Sequence, residues 1–334
     1  MLHQKNRRQN VWGILGGKFH DKLEEITLGK ADKSELKPLV TQELENLEII
    51  GVDFPKDSRG NDTIKHNWIT NMQHFSNNFE PLTGEFETEE LLIYKVDDDH
   101  YLQGYADLIR YNDDGTCSIL DWKSSSLYSA KDFEHAAHQL RIYGLAKEQS
   151  DNVTVRDLSW IFMKYVEVQY VGKKRKNSSK EELISKVIER RKIAKEMRDL
   201  IEEDLRSYEY EEIDIDMYIG EMLKDNSLEG LPKTIRDKYM IKTYIKTIPF
   251  QGDIEGQEKT LEYIRETIEE FENRDEEKEE DWEPREFTQT TKTGNIKEDT
   301  FFCNALCDFG GSCKYLQIFN DTKSLVNDEI DEWF

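Results

Sequence analysis

Long apolar runs are missing from this sequence. No stretch approaches the roughly 20 apolar residues that a membrane-spanning helix needs, and the first ten residues, MLHQKNRRQN, lack the apolar segment of a secretory signal. Charged residues make up 35% of the chain, nearly as much as the 37% that are hydrophobic. These absences argue against a membrane partner, and we expect a soluble protein of the cytoplasm.

Cysteine is also scarce. The chain has four cysteines among 334 residues, and three of them are crowded at positions 303, 307 and 313. Disulfide frameworks of secreted domains distribute many cysteines over a short chain, and this pattern does not resemble one. In a reducing compartment the crowding indicates either a local metal site or three unligated thiols.

Positive charge is the third shortage. Lys and Arg number 46 against 70 Asp and Glu, and the formal net charge is −24, which argues against a protein that coats nucleic acid nonspecifically. An enzyme acting on DNA stays compatible with this charge, because bound metal ions and a local basic groove can dominate the field at a site. The basic stretches KNRR (5–8) and KKRK (173–176) are short, and the acidic stretch 269–286 predicts a solvated, flexible segment. A helicase P-loop, GxxxxGK[ST], is absent, so any unwinding needs a partner.

Hydrophobic spacing divides the rest of the chain into helices and strands. Helical spacing is found at 11–28, 63–79, 131–149 and 257–272, and strand patterns are found at 90–96, 100–111, 116–122 and 158–171. A long charged amphipathic helix is predicted from the spacing of Leu183, Ile184, Val187, Ile188, Ala194, Met197 and Ile201. The resulting fold class is α/β, with the order helix, three-stranded antiparallel meander, helix, strand, and with helical additions.

The strand CSILDWK (117–123) ends in charge. Asp121 and Lys123 are two residues apart and lie on one face of the strand. Taken alone, this spacing is typical of an ion pair at the rim of a sheet. Asp107 lies on the preceding strand, and if the register brings it level with Asp121, two carboxylates converge beside a lysine. A hard divalent ion, Mg²⁺ or Mn²⁺, would relieve their repulsion and could activate water to attack a phosphodiester.

Four segments together resemble the PD-(D/E)XK nuclease superfamily, in particular its RecB-like branch, to which phage and bacterial exonucleases and CRISPR-associated RecB-like nucleases are related. These segments are GGKFHDKLE (16–24), GYAD (104–107), DWK (121–123) and QLRIY (139–143). The resemblance covers roughly residues 13–170 and implies a restriction-endonuclease-like core. It also implies a metal-dependent phosphodiester hydrolase.

The resemblance implies roles for individual residues. It makes His20, Asp107, Asp121 and the backbone carbonyl of Trp122 the metal ligands, and Lys123 the catalytic lysine. The acid of the first strand would be Glu90, although Glu89 is an equally available neighbour. The helix residues with nucleic-acid-contacting roles would be Gln139 and Tyr143, one helical turn apart.

Many RecB-like relatives bind an iron–sulfur cluster through one upstream cysteine and three cysteines near the C-terminus. Cys303, Cys307 and Cys313 match the second group, but no cysteine precedes the first predicted helix, and the fourth, Cys117, lies in the predicted sheet. An iron–sulfur or zinc site completed by another ligand and a decayed site without metal both remain open, and we favour decay slightly.

We predict three regions in the chain: a nuclease core at 1–175 with a helical insertion at 30–88, a helical and acidic extension at 176–300, and a Cys-containing segment at 301–334 packed on the core. The predicted function is that of a Mg²⁺- or Mn²⁺-dependent deoxyribonuclease acting on single-stranded DNA or DNA ends. It would be an exonuclease or end-processing enzyme of recombination, repair or phage DNA metabolism. A helicase or recombination protein is the protein partner that we expect. The alternative is an acidic interaction protein or DNA mimic on a nuclease scaffold, which the net charge and the 269–286 stretch support.

Overall fold

The structure is a computed structural model of the chain. It describes residues 9–57, 59–172, 182–275, 278, 285–291 and 293–331, and side chains as far as residue 322. The basic stretches KNRR and KKRK lie outside the described residues, as does most of the acidic stretch between 276 and 284.

The first half of the chain contains the helices α1 (Val11–Thr27), α2 (Leu36–Ile50), α3 (Thr63–Asn77) and α4 (Ala130–Asp151), and the strands β1 (Glu85–Lys95), β2 (Tyr101–Tyr111), β3 (Cys117–Lys123) and β4 (Val155–Gly172). The second half contains β5 (Glu182–Glu189), α5 (Ile193–Ser207), α6 (Glu212–Asp225), α7 (Lys233–Arg236), β6 (Met240–Pro249), α8 (Ile254–Glu272), β7 (Thr288–Thr290), β8 (Ile296–Glu298) and α9 (Lys314–Asp331).

Six of the described strands form one sheet. The order is β1-β2-β3-β4-β5, and β6 pairs with β4. Strands β1 to β3 form an antiparallel meander, β4 runs parallel to β3, and β5 and β6 run antiparallel to β4. Helix α4 supplies the crossover that a parallel pair requires. The predicted fold class, helix, meander, helix and strand within an α/β domain, is confirmed.

Hydrogen bonds and a glycine in the two turns stabilise the meander. Between β1 and β2, the Asp97 carboxylate accepts hydrogen bonds from the backbone N–H groups of Asp99 and His100. Between β2 and β3, Gly115 has the left-handed φ of 80° that its turn needs, and Asn112 N–H donates to the carbonyl of Thr116 at 2.9 Å. The two turns have the sequences DDD (97–99) and NDDG (112–115), both rich in residues that favour turns.

Apolar side chains cover the sheet in two clusters. One lies under α4 and includes Ile119, Leu140 and Trp160, all with no exposed surface. The other lies between the β4–β5 hairpin and the helices α5 and α6, and includes Val168 and Ile201. The alternation of side chains along β3 therefore places Asp121 and Lys123 on the α4 side of the sheet.

The long amphipathic helix predicted from Leu183 to Ile201 is wrong in its first half. Residues 182–189 form β5, paired with β4, and helix α5 begins only at Ile193. Leu183, Ile184, Val187 and Ile188 fit a helical stripe by spacing, but on a strand they divide between two faces, and only Ile188 is buried in the core beside α5. Tertiary pairing with β4 outweighs the local helical pattern.

The described chain divides into two compact units. One contains residues up to Lys18, Glu43–Pro55 and the residues from Leu261 onward, and the other contains Phe19–Gln42 and Lys56–Thr260. The six-stranded sheet lies wholly in the second unit. In the part of the chain that is described, no helix combines the length and the apolar character that crossing a bilayer requires.

Candidate active site

The register of the meander brings Asp107 and Asp121 level on neighbouring strands. Leu108 pairs with Leu120 and Ile109 with Ile119, and the same register continued one residue past the last pair sets Asp107 on β2 opposite Asp121 on β3. The charge of Asp107 contributes to the raised pKa of Asp121, so the two carboxylates lie close together. Level residues on adjacent strands have Cα atoms roughly 5 Å apart. The condition on which the sequence-based site depended is therefore met.

Asp107 is held by the backbone of the next strand. Its Oδ2 accepts a hydrogen bond from the Trp122 N–H at 2.8 Å, because the β2–β3 ladder gives way at this point and leaves that N–H free to bind a side chain. The Trp122 ring lies on the opposite face and packs edge-on against Phe79, with ring centroids 6.0 Å apart. Packing of the ring thus fixes the backbone that positions Asp107.

Asp121 and Lys123 form a buried ion pair. Nζ of Lys123 lies 2.6 Å from Oδ2 of Asp121, whose residue is only 4% exposed. Burial is the main reason why the pKa of Asp121 rises to about 6, and the charge of Asp107 adds to the rise while Lys123 opposes it. Burial lowers the pKa of Lys123, but the attraction of Asp121 outweighs it, so the pKa of Lys123 is raised and its ammonium is retained.

His20 brings helix α1 to the same group. Its Nδ1 lies 3.3 Å from Oδ2 of Asp107. Burial lowers the pKa of His20, but the contact with Asp107 and the charge of Asp121 outweigh burial, and the net pKa is raised. Phe19 and Leu23, on either side of His20 in the sequence, have no exposed surface. The helix face that anchors α1 in the core therefore determines where the imidazole lies.

Glu89 lies level with Asp107 on β1, between the pairs Thr88–Leu108 and Glu90–Ala106. Its backbone has a left-handed φ of 50°, which is uncommon for a residue that is not glycine and is often associated with functional sites. Partial burial and the charges of Asp107 and Glu24 raise the pKa of Glu89. Glu89 is therefore a third carboxylate of this group.

Glu90, the acid that the sequence analysis preferred, is bound elsewhere. Both of its carboxylate oxygens accept hydrogen bonds from Nζ of Lys147 on α4, at 2.9 and 2.8 Å. Lys147 is only 1% exposed and also lies 3.6 Å from Glu87. Because Glu87 and Glu90 reach one lysine although they are three apart, the two-residue alternation of β1 is interrupted between them, at Glu89. The Glu89–Glu90 doublet was visible in the sequence, but the interruption was not.

Gln139 and Tyr143 lie together on α4. Nε2 of Gln139 donates to the Tyr143 hydroxyl at 3.1 Å. The tyrosine ring covers β2 at Gly104, where an added Cβ would lie 2.7 Å from Cε1 of Tyr143. The charges of Asp121 and Asp107 contribute to the raised pKa of Tyr143, after burial as the main cause. The pair therefore borders the carboxylates, with Gln139 exposed and Tyr143 half-buried.

Tyr128 is a neighbour of the site that sequence reasoning missed. Burial raises the pKa of Tyr128, the charge of Lys123 opposes the rise, and that of Asp121 adds to it. The ring packs edge-on against Trp160 and Phe162, with centroids 5.3 and 5.8 Å away. Its position just before α4 was the available signal, since that loop follows directly from DWK.

The three C-terminal cysteines lie near each other in the other unit. Burial raises the pKa of Cys303, and the neighbouring thiols Cys307 and Cys313 raise it further. All three are unbridged, as is Cys117, which is buried in the sheet core. Metal binding by Cys303, Cys307 and Cys313 stays a prediction.

Hard oxygen donors suited to Mg²⁺ or Mn²⁺ are present around Asp107: the carboxylates of Asp107, Asp121 and Glu89 and the carbonyl of Trp122. Across the described ranges, no three His, Cys, Asp or Glu side chains are already arranged as a metal cluster. Lys123 and His20 instead neutralise the two central carboxylates. Oδ2 of Asp121 is buried and lies 2.6 Å from Nζ of Lys123, so a metal ion bound there would share this oxygen with the lysine or displace it. The donor set therefore fits the ion in its chemistry.

Comparison with known proteins agrees with this arrangement. No curated protein matches the chain. Residues 4–218 match the family profile of the PD-(D/E)XK nuclease superfamily, a segment that contains every residue of the acidic group and covers more than half of the chain. Members of this superfamily generally use divalent metal ions such as Mg²⁺. The chain, with Asp107 within β2 and with Asp121 and Lys123 at the end of β3, belongs to the PD-(D/E)XK nuclease superfamily.

Proposed function

We propose that this protein is a Mg²⁺- or Mn²⁺-dependent deoxyribonuclease of the RecB-like branch. It acts on single-stranded DNA or DNA ends as an exonuclease or end-processing enzyme, in recombination, repair or phage DNA metabolism. The observation that carries the proposal is the level placement of Asp107 and Asp121, with Lys123 paired to the buried carboxylate. A purely structural ion pair has no need of a second carboxylate beside it, because the two acids repel each other.

Asp107, Asp121, Glu89 and the carbonyl of Trp122 would hold the divalent ion, and His20 is a further donor beside Asp107. When bound, such an ion supplies an activated water and stabilises the negative charge of the phosphodiester. Lys123 retains its proton in the protein, so its role is that of a cation. It can donate to a phosphate oxygen and offset the charge that develops there as the water attacks.

Gln139 and Tyr143 supply the contact with the nucleic acid strand. The exposed Gln139 amide can bind a phosphate or a base edge, and Tyr143 holds that amide through its hydroxyl. The Tyr143 ring covers Gly104 beside the carboxylates, and the part of the ring that stays exposed can contact a base of the strand. Unwinding of a duplex would fall to a helicase or recombination partner.

The test is cleavage of end-labelled single- and double-stranded DNA with Mg²⁺, Mn²⁺ or EDTA. A closed circular single strand is included, because an enzyme acting at ends leaves it intact. Asp121→Asn should abolish cleavage and sharply reduce divalent-ion binding measured by calorimetry. Lys123→Ala should still bind the ion while turnover falls by about 10²-fold or more, the loss expected when a transition-state contact is removed.

Asp113→Asn is the matched control, because it makes the same change on the exposed turn between β2 and β3. It should cleave and bind metal like the wild type. Wild-type protein that cuts no DNA with either ion, and binds no divalent ion in a manner that depends on Asp121, would refute the proposal. The acidic interaction protein would then take its place.

A further inference from the structure

Arg190 is a buried cation in the short turn that links β5 to α5. It is 1% exposed. Its Nε donates to the Met163 carbonyl at 2.7 Å, and one terminal nitrogen donates to Oγ1 of Thr243 at 2.7 Å. The other terminal nitrogen lies 3.2 Å from Nδ1 of His74. A guanidinium has five N–H groups, so two of them, one on each terminal nitrogen, donate to no atom of the described chain.

Among the residues that the structure describes, no carboxylate compensates this charge. The three groups that Arg190 contacts are a carbonyl, a hydroxyl and an imidazole, and the nearest further stabilisation comes from the Phe75 ring, 5.2 Å from the guanidinium carbon. Burial lowers the pKa of His74 to about 4, and Arg190 contributes to that shift, so His74 is neutral at pH 7. Burying a charge without a counterion is costly, and native proteins pair almost every such group.

Arg190 lines a cavity of about 470 Å³, within the range of small-molecule sites. The acidic side chains at the wall are already neutralised from outside it. Glu80 is paired with Lys33, at 2.9 Å, and Glu229 with Arg236, at 3.0 Å. In a chain of net charge −24, Arg190 therefore places a buried positive charge at the wall of this cavity, without a carboxylate partner among the described residues.

We propose that the cavity beside Arg190 binds a phosphate oxyanion, either free phosphate or the phosphate group of a small nucleotide. One uncommitted N–H group remains on each terminal nitrogen, and a guanidinium can bind two oxygens of one phosphate through one N–H of each terminal nitrogen. Asn77 and Ser227 line the same cavity and add donors, and Leu82, Ile193 and Leu228 offer an apolar wall to the uncharged part of a nucleotide.

The site is distinct from the acidic group around Asp107, which without metal repels an anion. None of the residues that line the cavity belongs to that group. The inference therefore does not depend on the nuclease proposal, and it is tested without cleavage.

The experiment is calorimetric titration of the full chain with inorganic phosphate and, separately, with adenosine 5′-monophosphate. EDTA is present throughout, so that no anion binds through a metal at the carboxylates. Asn77→Asp places a like charge at the exposed rim of the cavity without burying a group. It should weaken binding by about tenfold or more, because one like charge close to a partly desolvated oxyanion is strongly repulsive.

Gln73→Glu is the matched control, the same amide-to-carboxylate change at an exposed position of the same helix but away from the cavity. It should bind like the wild type. Arg190→Lys keeps the positive charge but loses the planar set of N–H donors of the guanidinium, and it should also weaken binding. Tighter binding of the nucleotide than of phosphate identifies a nucleotide ligand, and equal binding identifies free phosphate. No binding of either probe, or binding that Asn77→Asp leaves unchanged, overturns the proposal.

Discussion

Glu89 and Glu90 are adjacent in the chain, but their carboxylates lie in different environments. Glu89 is close to Asp107 and has a left-handed backbone, whereas Glu90 binds the buried ammonium of Lys147. The doublet is therefore divided between the candidate active site and a structural ion pair, and single substitutions can separate the two roles.

We expect Glu89→Gln to lower the rate of DNA cleavage with little change in the melting temperature, because the residue is exposed and its carboxylate makes no close ion pair among the described residues. Glu90→Gln should do the reverse. It removes the carboxylate that contacts Lys147 through both oxygens, and it should lower the free energy of unfolding by about 1–3 kcal/mol. Denaturant unfolding and cleavage rates, measured on both variants, check the assignment. Loss of activity in Glu90→Gln alone would show that the sequence-based choice was right.

Asp107, Asp121 and Lys123 could be found from the sequence because strand alternation and a short hairpin fix their relation. Register was the missing quantity, since one step along the ladder would separate the two acids. The sequence left the choice between Glu90 and Glu89 open, because alternation alone gives no sign that β1 is interrupted at Glu89.

At the scale of elements, α4 packs closely on the chain that follows β6. Gly144 is buried in α4, and an added Cβ there would lie 2.7 Å from Cε2 of Phe250, a ring with no exposed surface. The contact lies within the second unit, on the helix that also carries Gln139 and Tyr143.

Gly144→Ala should lower the free energy of unfolding by about 1–2 kcal/mol, since the overlap with a fixed ring exceeds the gain in helix propensity. Gly220→Ala is the control, because Gly220 lies in α6 with nothing within 4 Å of an added Cβ. It should raise stability by about 0.5–1 kcal/mol. Thermal or urea unfolding measures both. Equal effects at the two positions would mean that α4 is not packed this tightly.

Gln139 and Tyr143 separate binding from stability on the same helix. Tyr143→Phe keeps the ring over Gly104 and removes only the hydroxyl that holds Gln139, and Gln139→Ala removes the exposed amide. Both should raise the Kd for single-stranded DNA while the melting temperature stays unchanged. Tyr143→Ala should in addition cost about 1–3 kcal/mol of stability, because the half-buried ring is lost. Unchanged DNA affinity in all three variants would leave the pair a structural feature only.

Elements with a clear period were predicted well, and those defined by long-range pairing were not. Helices α1, α3, α4 and α8 and strands β2 to β4 lie within three residues of where the sequence placed them, whereas β1 begins at Glu85, five residues before its predicted start. Strand β5 resembled a helix locally, and β6 falls in a region of weak patterning. Both strands are formed by pairing with β4. Strand β5 is separated from β4 by a connecting segment, and β6 is distant from it in sequence, so local spacing gave no signal for either strand.

At the scale of the whole molecule, acid stability depends on a group that the active site does not contain. Burial, and then the charge of Arg190, lower the pKa of His74 to about 4, whereas an unfolded histidine titrates near 6.5. A group with a lowered folded-state pKa contributes stability that is present above the unfolded pKa and lost as the pH falls towards the folded one.

The wild type should therefore lose up to about 3 kcal/mol between pH 6.5 and pH 4 from this residue. His74→Gln should flatten the fall in that window, because the amide can still accept from Arg190 and takes up no proton. His66→Gln makes the same change at an exposed position of the same helix and serves as the control. Unfolding free energies measured at several pH values decide the matter, and parallel curves for wild type and His74→Gln would contradict it.

The left-handed backbone of Glu89 creates a trade-off between catalytic activity and folding stability at one position. Glycine adopts that conformation without the penalty of about 1–2 kcal/mol that other residues meet, so Glu89→Gly should make the protein harder to unfold while it removes a carboxylate from the candidate site. Directed evolution under heat selection alone would then accumulate glycine at position 89. The same library selected for DNA cleavage would keep glutamate there, and the position would show which of the two pressures had acted.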